Sequence, residues 1–439
     1  MSGRHFVLTL ALLVGTLALA EESESPFPFT GRAYTDQYFF TSPQNPRSLA
    51  QSSAAIWLEY EKLQNKGVGI KAVGQVDFLY RDLNHPAQAS ARARLREGFI
   101  SHQSEGSDLR VGQQIIPWGK SDGINPTDYF TAKDYTLLNP DDEVKRVGAP
   151  AVNWSFTPMS GTSPLTFQFV FQAAYPQTRF IIPDTVVPAG IQVNRYPDSP
   201  VLFEAKSMEY GLKVAYLKSD FDLSFSLFHG FTSFPEYVFN SLTQTIVAIN
   251  PAESAVGSDG SFTFKSYIVR WETALHLPEN GQANDPLFGL VEPSHWDSVL
   301  GIERPLFQDF RIQVQALYRW HLYFRDEPYT SSANPVVNQI QQGVARANAT
   351  LLNYRRRGNP GATFRLAYAK ERAVWTADLF LVGYFAAGQD FLLRPQVGFT
   401  PRENLKLLAG LDLYGGDVSG PLGALHVQSD AFFEAKLLF

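Results

Sequence analysis

Cysteine is absent from all 439 residues, so no disulfide braces this chain. Long apolar runs are scarce too. Past the first twenty residues no stretch of about 18 uninterrupted apolar residues occurs, which excludes a helical membrane span and leaves a soluble fold or a strand barrel. No basic tract stands out: the formal charge is −6 with acids and bases interspersed, so nucleic acid is not expected as a partner. The catalytic patterns HExxH and GxSxG are missing, as is a phosphate-cradling glycine loop. Histidines past residue 20 (His85, His102, His229, His276, His295, His321 and His426) are scattered, with no Ser or Asp neighbour forming a recognisable constellation. No catalytic residue, metal or cofactor is therefore expected.

Residues 1–20 read as a secretory signal. Arg4 and His5 form a basic start, Phe6 to Leu13 an apolar run, and Ala18-Leu19-Ala20 a small-residue cleavage site before Glu21. The run is too short for an anchor, so cleavage is expected, leaving 21–439 as a single domain. Only 21–28 precede the first strand, too few to form a plug in a wide lumen.

What the chain does have is alternation, and aromatics at 14% to go with it. Val68, Ile70, Ala72, Gly74, Val76, Phe78 and Tyr80 fall on one parity, Lys71, Gln75 and Asp77 on the other. Leu165, Phe167, Phe169 and Phe171 alternate with Thr166, Gln168, Val170 and Gln172, a phase no helix turns into one apolar stripe. Ile312 through Phe324 repeats the pattern over more than a dozen residues, long enough for a tilted bilayer crossing. Similar segments are Met208 to Tyr216, Phe221 to Leu227, Phe364 to Tyr368, Phe391 to Phe399 and Leu405 to Leu413. Short connections (Ser104 to Asp108, Lys218 to Asp220, Pro401 to Asn404) alternate with long ones (117–149, 175–205, 326–350), the habit of outer-membrane barrels.

The expected fold is all-β: a transmembrane antiparallel up-and-down barrel of 18 strands running from near Phe29 to Phe439. Residues 232–304 parse poorly and leave 16 or 14 strands open. A soluble β-sandwich or solenoid is the competing fold. It would need a partner sheet for every aromatic face, which lipid supplies at once to a barrel. At the C-terminus Phe433, Ala435, Leu437 and Phe439 alternate with Phe432, Glu434, Lys436 and Leu438. Such an ending resembles the assembly signal of bacterial outer-membrane proteins, which implies the barrel assembly machinery as a partner.

With the oily faces on lipid, the charged faces line the lumen. Glu59, Glu61, Lys71, Asp77, Arg110, Arg311, Arg319, Arg365 and Arg394 are candidates, and Arg92, Arg94 and Arg96 form a column on one strand. Mutual pairing across strands is the structural alternative for each of them. The arginine column would repel itself unless answered, with Glu59 and Glu61 the nearby candidates; unanswered, it would bias the passage toward anions.

The long connection 117–149 carries Trp118-Gly119, Asp122, Asn125-Pro126, Asp128, Asp134, Asp141, Asp142, Lys145 and Arg146. Turn formers punctuate it, and its acids match no EF-hand spacing, so a loop stapled to charged walls is preferred over a calcium site. Following the fifth strand, it resembles in place and length the inward-folded constriction loop of porins. Gly112-Gln113-Gln114, Trp118-Gly119, Asp122, Asn125-Pro126 and Asp128 resemble a poorly characterised porin-like family of proteobacterial outer-membrane proteins. That resemblance covers the signal, this loop and the strand grammar; it implies a transmembrane passage, with hydrophobic or amphipathic solutes among what would cross, and names no substrate.

The expected function is thus a channel in the outer-membrane lipid for small polar or anionic solutes, its oligomeric state left open. Two alternatives stand beside it. Leu217, Phe228, Leu317, Leu408, Phe432 and Leu438 on polar faces favour a transporter of hydrophobic or lipid-like molecules. A structural or adhesive barrel would instead use 175–205 and 232–262 as outer loops.

Overall fold

The computed structural model describes residues 29–42, 49–63, 67–81, 88–159, 163–180, 192–194, 197–279, 281, 291–307, 309–325, 334–369, 374–386 and 388–439. The signal at 1–20 lies outside the described residues, as does part of 175–205.

Eighteen antiparallel strands form one sheet. They are β1 (Thr30–Phe40), β2 (Gln51–Leu63), β3 (Val68–Arg81), β4 (Gln88–Ser104), β5 (Ser107–Gln114) and β6 (Ala149–Phe156). Next come β7 (Leu165–Gln172), β8 (Glu209–Leu217), β9 (Phe221–Phe231), β10 (Ala252–Phe264), β11 (Tyr267–Pro278) and β12 (His295–Leu306). The last six are β13 (Phe310–His321), β14 (Gly358–Ala369), β15 (Trp375–Tyr384), β16 (Asp390–Arg402), β17 (Leu405–Gly416) and β18 (Asp430–Leu438). Each pairs with its chain neighbours, and β18 returns to β1 with Arg32 opposite Leu438 and Phe40 opposite Asp430, so the sheet is a closed barrel without edges. The expected all-β up-and-down barrel and its strand number are what the chain adopts.

The strands exist because alternation lets each residue face one of two unlike surroundings. In β9, Phe225 and Leu227 are 60% and 51% exposed on the outside, whereas Ser224 and Ser226 are buried inside. Gln75 and Asp77 point inward from β3 in the same way. A bulge in β4 breaks the parity there: Val73 pairs with Glu97 but Gly74 with Leu95, leaving Arg96 as the extra residue. Beyond it the inward face passes to Glu97 and Ser101, and Ile100 turns out to the exposed side.

Three expectations are corrected. The stretch 232–262 is not one loop: Glu236–Asn240 and Thr245–Ile249 form a hairpin, and from Ala252 the chain is already barrel strand β10. The stretch 326–350 is not a plain loop either. Asn334 caps a helix, α1 (Pro335–Leu351), by accepting from the Val336 N–H, with Pro335 set in its first turn. Val337, Ile340, Val344 and Leu351 recur at helical spacing and pack on Tyr237, Phe239, Ile246 and Ala248 of the hairpin. The amide of Asn348 completes the joint by bonding both the N–H and the carbonyl of Tyr237 at 3.0 and 2.8 Å. Finally, β13 stops at His321, three residues short of the alternating pattern.

A loop docked across the lumen and the passage beside it

The connection between β5 and β6 folds into the barrel, and its aromatic residues pack there first. Trp118, Tyr129 and Phe130 are buried with Phe228 of β9; Tyr129 stacks on Phe228 at 5.0 Å and Trp118 meets Phe130 edge-on at 5.0 Å. Gly211 of β8 leaves the room for them, since a Cβ there would meet the Phe130 ring at 2.5 Å.

Polar anchoring follows. Glu272, fully buried on β11, accepts from the Lys120 and Ser121 N–H groups at 3.0 Å each and from the Thr127 N–H and hydroxyl at 2.7 and 2.9 Å. Gly119 makes that approach feasible: its φ is +91°, and a Cβ would lie 2.5 Å from Glu272 Oε1. Asp128 accepts from the Trp118 N–H at 3.1 Å and faces Arg146 at 3.6 Å. Asp122 meets Arg365 of β14 at 2.8 Å, and Asn125 donates back to the Ser121 carbonyl at 2.7 Å.

The far half of the loop reaches the barrel seam. Asn139 donates to Asp36 of β1 at 3.0 Å and to Glu434 of β18 at 2.9 Å, so one loop amide bridges the first and last strands. Asp141 caps the helical turn Asp142–Lys145 and pairs with Lys436 at 3.2 Å. Asp142 pairs with Lys133 at 2.8 Å and Glu143 with Arg32 at 2.6 Å. Burial, opposed by Arg146, raises the Asp128 carboxyl to about 6, and burial with Arg394 nearby lowers the Lys145 ammonium to about 8.

The arginine column is answered, but not by Glu59 and Glu61, which both turn to Lys71 at 3.0 and 3.9 Å. Arg92 meets Asp134 of the loop and Arg94 meets Asp77, each at 3.3 Å. Arg96 donates to the carbonyls of Glu143, Val144 and Arg146 at 2.7 to 3.3 Å, while its guanidinium lies 3.9 Å from the centre of the Trp57 ring. Arg32 lies over the same ring at 3.6 Å. The remaining candidates are paired as well: Arg110 with Asp108 at 2.7 Å, Arg311 with Glu303 at 3.3 Å, Arg319 with Asp297 and Glu292 at 2.6 Å each, Arg365 also with Asp378 at 2.7 Å, and Arg394 with Asp412. The acids of the loop do not converge either; each has its own basic or amide partner.

Beside the docked loop a cavity of about 500 Å³ remains. Asn125, Tyr129, Lys133 and Tyr135 of the loop form one side; Glu253, His276, His295, Asp297 and Arg319 of β10 to β13, with Glu292 just before β12, form the other. Leu351, Leu352 and Asn353 at the end of α1 and Leu422 contribute to the long-loop mouth. Of this wall only Arg319 was named from sequence as lining the lumen. Glu253, His276, Glu292, His295 and Asp297, with the anchor Glu272, lie in the 232–304 stretch whose strand phase alternation left open.

The chain matches no protein-family model, and no curated protein matches it in sequence. Its fold is found among solved structures. Acinetobacter baumannii OccAB1 superposes with a TM-score of 0.54 at 10% identity, covering 96% of this chain and 99% of that one. Pseudomonas aeruginosa OccK8 (OprE) gives 0.54 at 9% identity, covering 94% and 97%. Pseudomonas aeruginosa OccK5 (OpdH) gives 0.52 at 10% identity, covering 94% and 96%. At such identities the likeness is one of fold.

Proposed function

We propose that this barrel is a channel of the bacterial outer membrane through which small polar solutes diffuse passively; the arginine column, being answered, gives no bias toward anions. The observation that carries it is the combination of an apolar outside, a polar inside and a loop that narrows the lumen to one side while a lined cavity persists on the other. Asp128, Glu253, Glu292 and Asp297 outnumber Lys133 and Arg319 around that cavity, so the passage carries both signs with a local excess of acid. Export by a signal cleaved after Ala20 fits this location. So does assembly through β18, whose Phe433 and Phe439 stand half-exposed while Leu437 is buried.

Packing weighs against the apolar alternative at three of its six residues, while Phe228 and Leu317 also line the cavity and Leu217 and Leu438 stand half-exposed. Phe228 stacks on Tyr129 of the loop, and Phe432 and Leu408 cluster with Tyr38 and Leu138. These inward apolar groups are occupied in holding the loop instead of forming a continuous greasy track. Purified protein in planar lipid bilayers is expected to give steady ionic currents. No current, together with lipid that copurifies in a fixed ratio, would favour the apolar transporter instead.

A further inference from the structure

The register of β11, β12 and β13 sets three histidines side by side: His276 lies opposite His295, and His295 opposite His321. His276 stacks on His295 with ring centroids 4.8 Å apart, and His321 follows at 5.7 Å from His295, tilted by 53°. Nothing in the packing of a barrel requires three imidazoles at one level of adjoining strands. Glu292 enters the same cluster, its Oε1 standing 3.7 Å from His295 Nδ1 and 3.9 Å from His321 Nε2.

We infer that Glu292, His295 and His321 form a binding site for a divalent transition-metal ion, with zinc the ion whose chemistry fits best. One ligand atom from each lies within 4.8 Å of the others. Tetrahedral zinc holds such atoms roughly 3.3 Å apart, so rotamer adjustments of about an ångström close the set. Two imidazoles and one carboxylate are a zinc donor set that leaves a fourth position for water or a solute.

The strongest sign is on His321, which is fully buried. Its Nδ1 lies 3.1 Å from the Arg356 carbonyl and 3.3 Å from the Asn359 amide nitrogen; that amide already donates to the same carbonyl at 2.7 Å, so the nearer carbonyl takes the Nδ1 proton and Nε2 presents a lone pair. Among the described residues that Nε2 has no hydrogen-bond partner. A backbone carbonyl behind one ring nitrogen and an unused lone pair at the other is the outer-shell arrangement of a metal-binding histidine. His276 is less suited, because Glu253 and the Pro126 carbonyl already hold its two nitrogens, whereas His295 has Nδ1 engaged by the Pro293 carbonyl at 3.0 Å and keeps Nε2 for an ion.

Charge agrees. Glu292 and Asp297 share Arg319 while Glu253 pairs with His276, so with neutral imidazoles the cluster carries a surplus of two negative charges. Arg319 donates to Glu292 Oε1 at 2.6 Å, but an ionised carboxylate offers about four acceptor positions and is not exhausted by one guanidinium. Glu292 and His295 line the cavity, which is the ion's route in. The site shares its cavity with the channel reading and does not rest on it.

The test is titration of the full barrel in detergent micelles, stripped with EDTA, with Co²⁺ as a visible-absorbing substitute and Zn²⁺ as competitor. One equivalent of Co²⁺ with tetrahedral d–d absorption, displaced by Zn²⁺, is expected. His321→Gln and Glu292→Gln are expected to weaken binding on the order of tenfold or more, and Arg110→Ala to leave it unchanged. Absence of a saturable one-to-one site in the unaltered protein overturns the proposal, whether or not any variant folds. Equal affinity in folded His321→Gln and Glu292→Gln barrels, checked by their β-sheet circular dichroism, overturns it as well. A conducting barrel that binds no metal removes only this site; a metal-binding barrel that never conducts removes only the channel.

Discussion

Glu272 and Thr127 are joined twice, by the Thr127 N–H at 2.7 Å and its hydroxyl at 2.9 Å, although 145 residues separate them in the chain. With the Lys120 and Ser121 N–H groups on the same carboxylate, this one buried side chain fixes the start of the loop to the wall. Replacing it by alanine leaves three backbone donors without their acceptor, at a cost of about 3 kcal/mol or more in loop docking. The chain has no cysteine, so a Ser121→Cys probe is unique. Its labelling by a water-soluble thiol reagent is expected to speed up at least several-fold when Glu272→Ala is added; an unchanged rate would show that Glu272 does not hold the loop.

Two arginines named alike from sequence should behave differently. Arg96 is buried against three loop carbonyls and the Trp57 ring, so Arg96→Ala is expected to destabilise the barrel by about 3 kcal/mol. Arg110 pairs with Asp108 in a half-exposed setting, and Arg110→Ala is expected to change stability by less than about 1 kcal/mol. Denaturant midpoints of the two variants, measured side by side, check the contrast.

Asp128 gives the loop a pH dependence of definite sign. Its carboxyl titrates at about 6 in the fold and near 3.9 when unfolded, so the folded state holds the extra proton between those values. The resulting stability is fully present below about 3.9 and is lost as pH rises through 6. Lys145, lowered to about 8, acts in the opposite sense: its contribution is present above the unfolded value near 10.4 and lost as pH falls through 8. Unfolding midpoints measured from pH 4 to 7 should fall for the unaltered protein and flatten in Asp128→Asn; parallel curves would contradict the assignment.

Export predicts a covalent outcome. Mass spectrometry of protein extracted from membranes should find a chain beginning at Glu21, and an intact Met1 would exclude cleavage after Ala20.

How much of this was legible beforehand follows from what alternation encodes. It reports which face a residue is on, so Gln75, Asp77 and the arginines could be turned inward, and the long stretch after the fifth strand could be marked as a loop. It does not report register between strands, which depends on how each connection closes. That is why His276, His295 and His321 read as scattered, and why the partners of Arg92 and Arg96 were sought on Glu59 and Glu61 instead of in the loop. Local irregularity hid the rest. The bulge at Arg96 switches parity within one strand, and α1 carries its apolar residues at a period that a search for strands passes over. Glu272 bore no motif at all; its role arises only when Gly119 brings three N–H groups to it.

The central claim is that an aqueous lumen crosses the barrel and that the docked loop narrows it. Single-channel current through the unaltered protein should be compared with current after removal of residues 120–146, both refolded barrels being verified by circular dichroism. A steady current that increases severalfold on deletion is the predicted result. No current from either barrel, or an identical current from both, would contradict it.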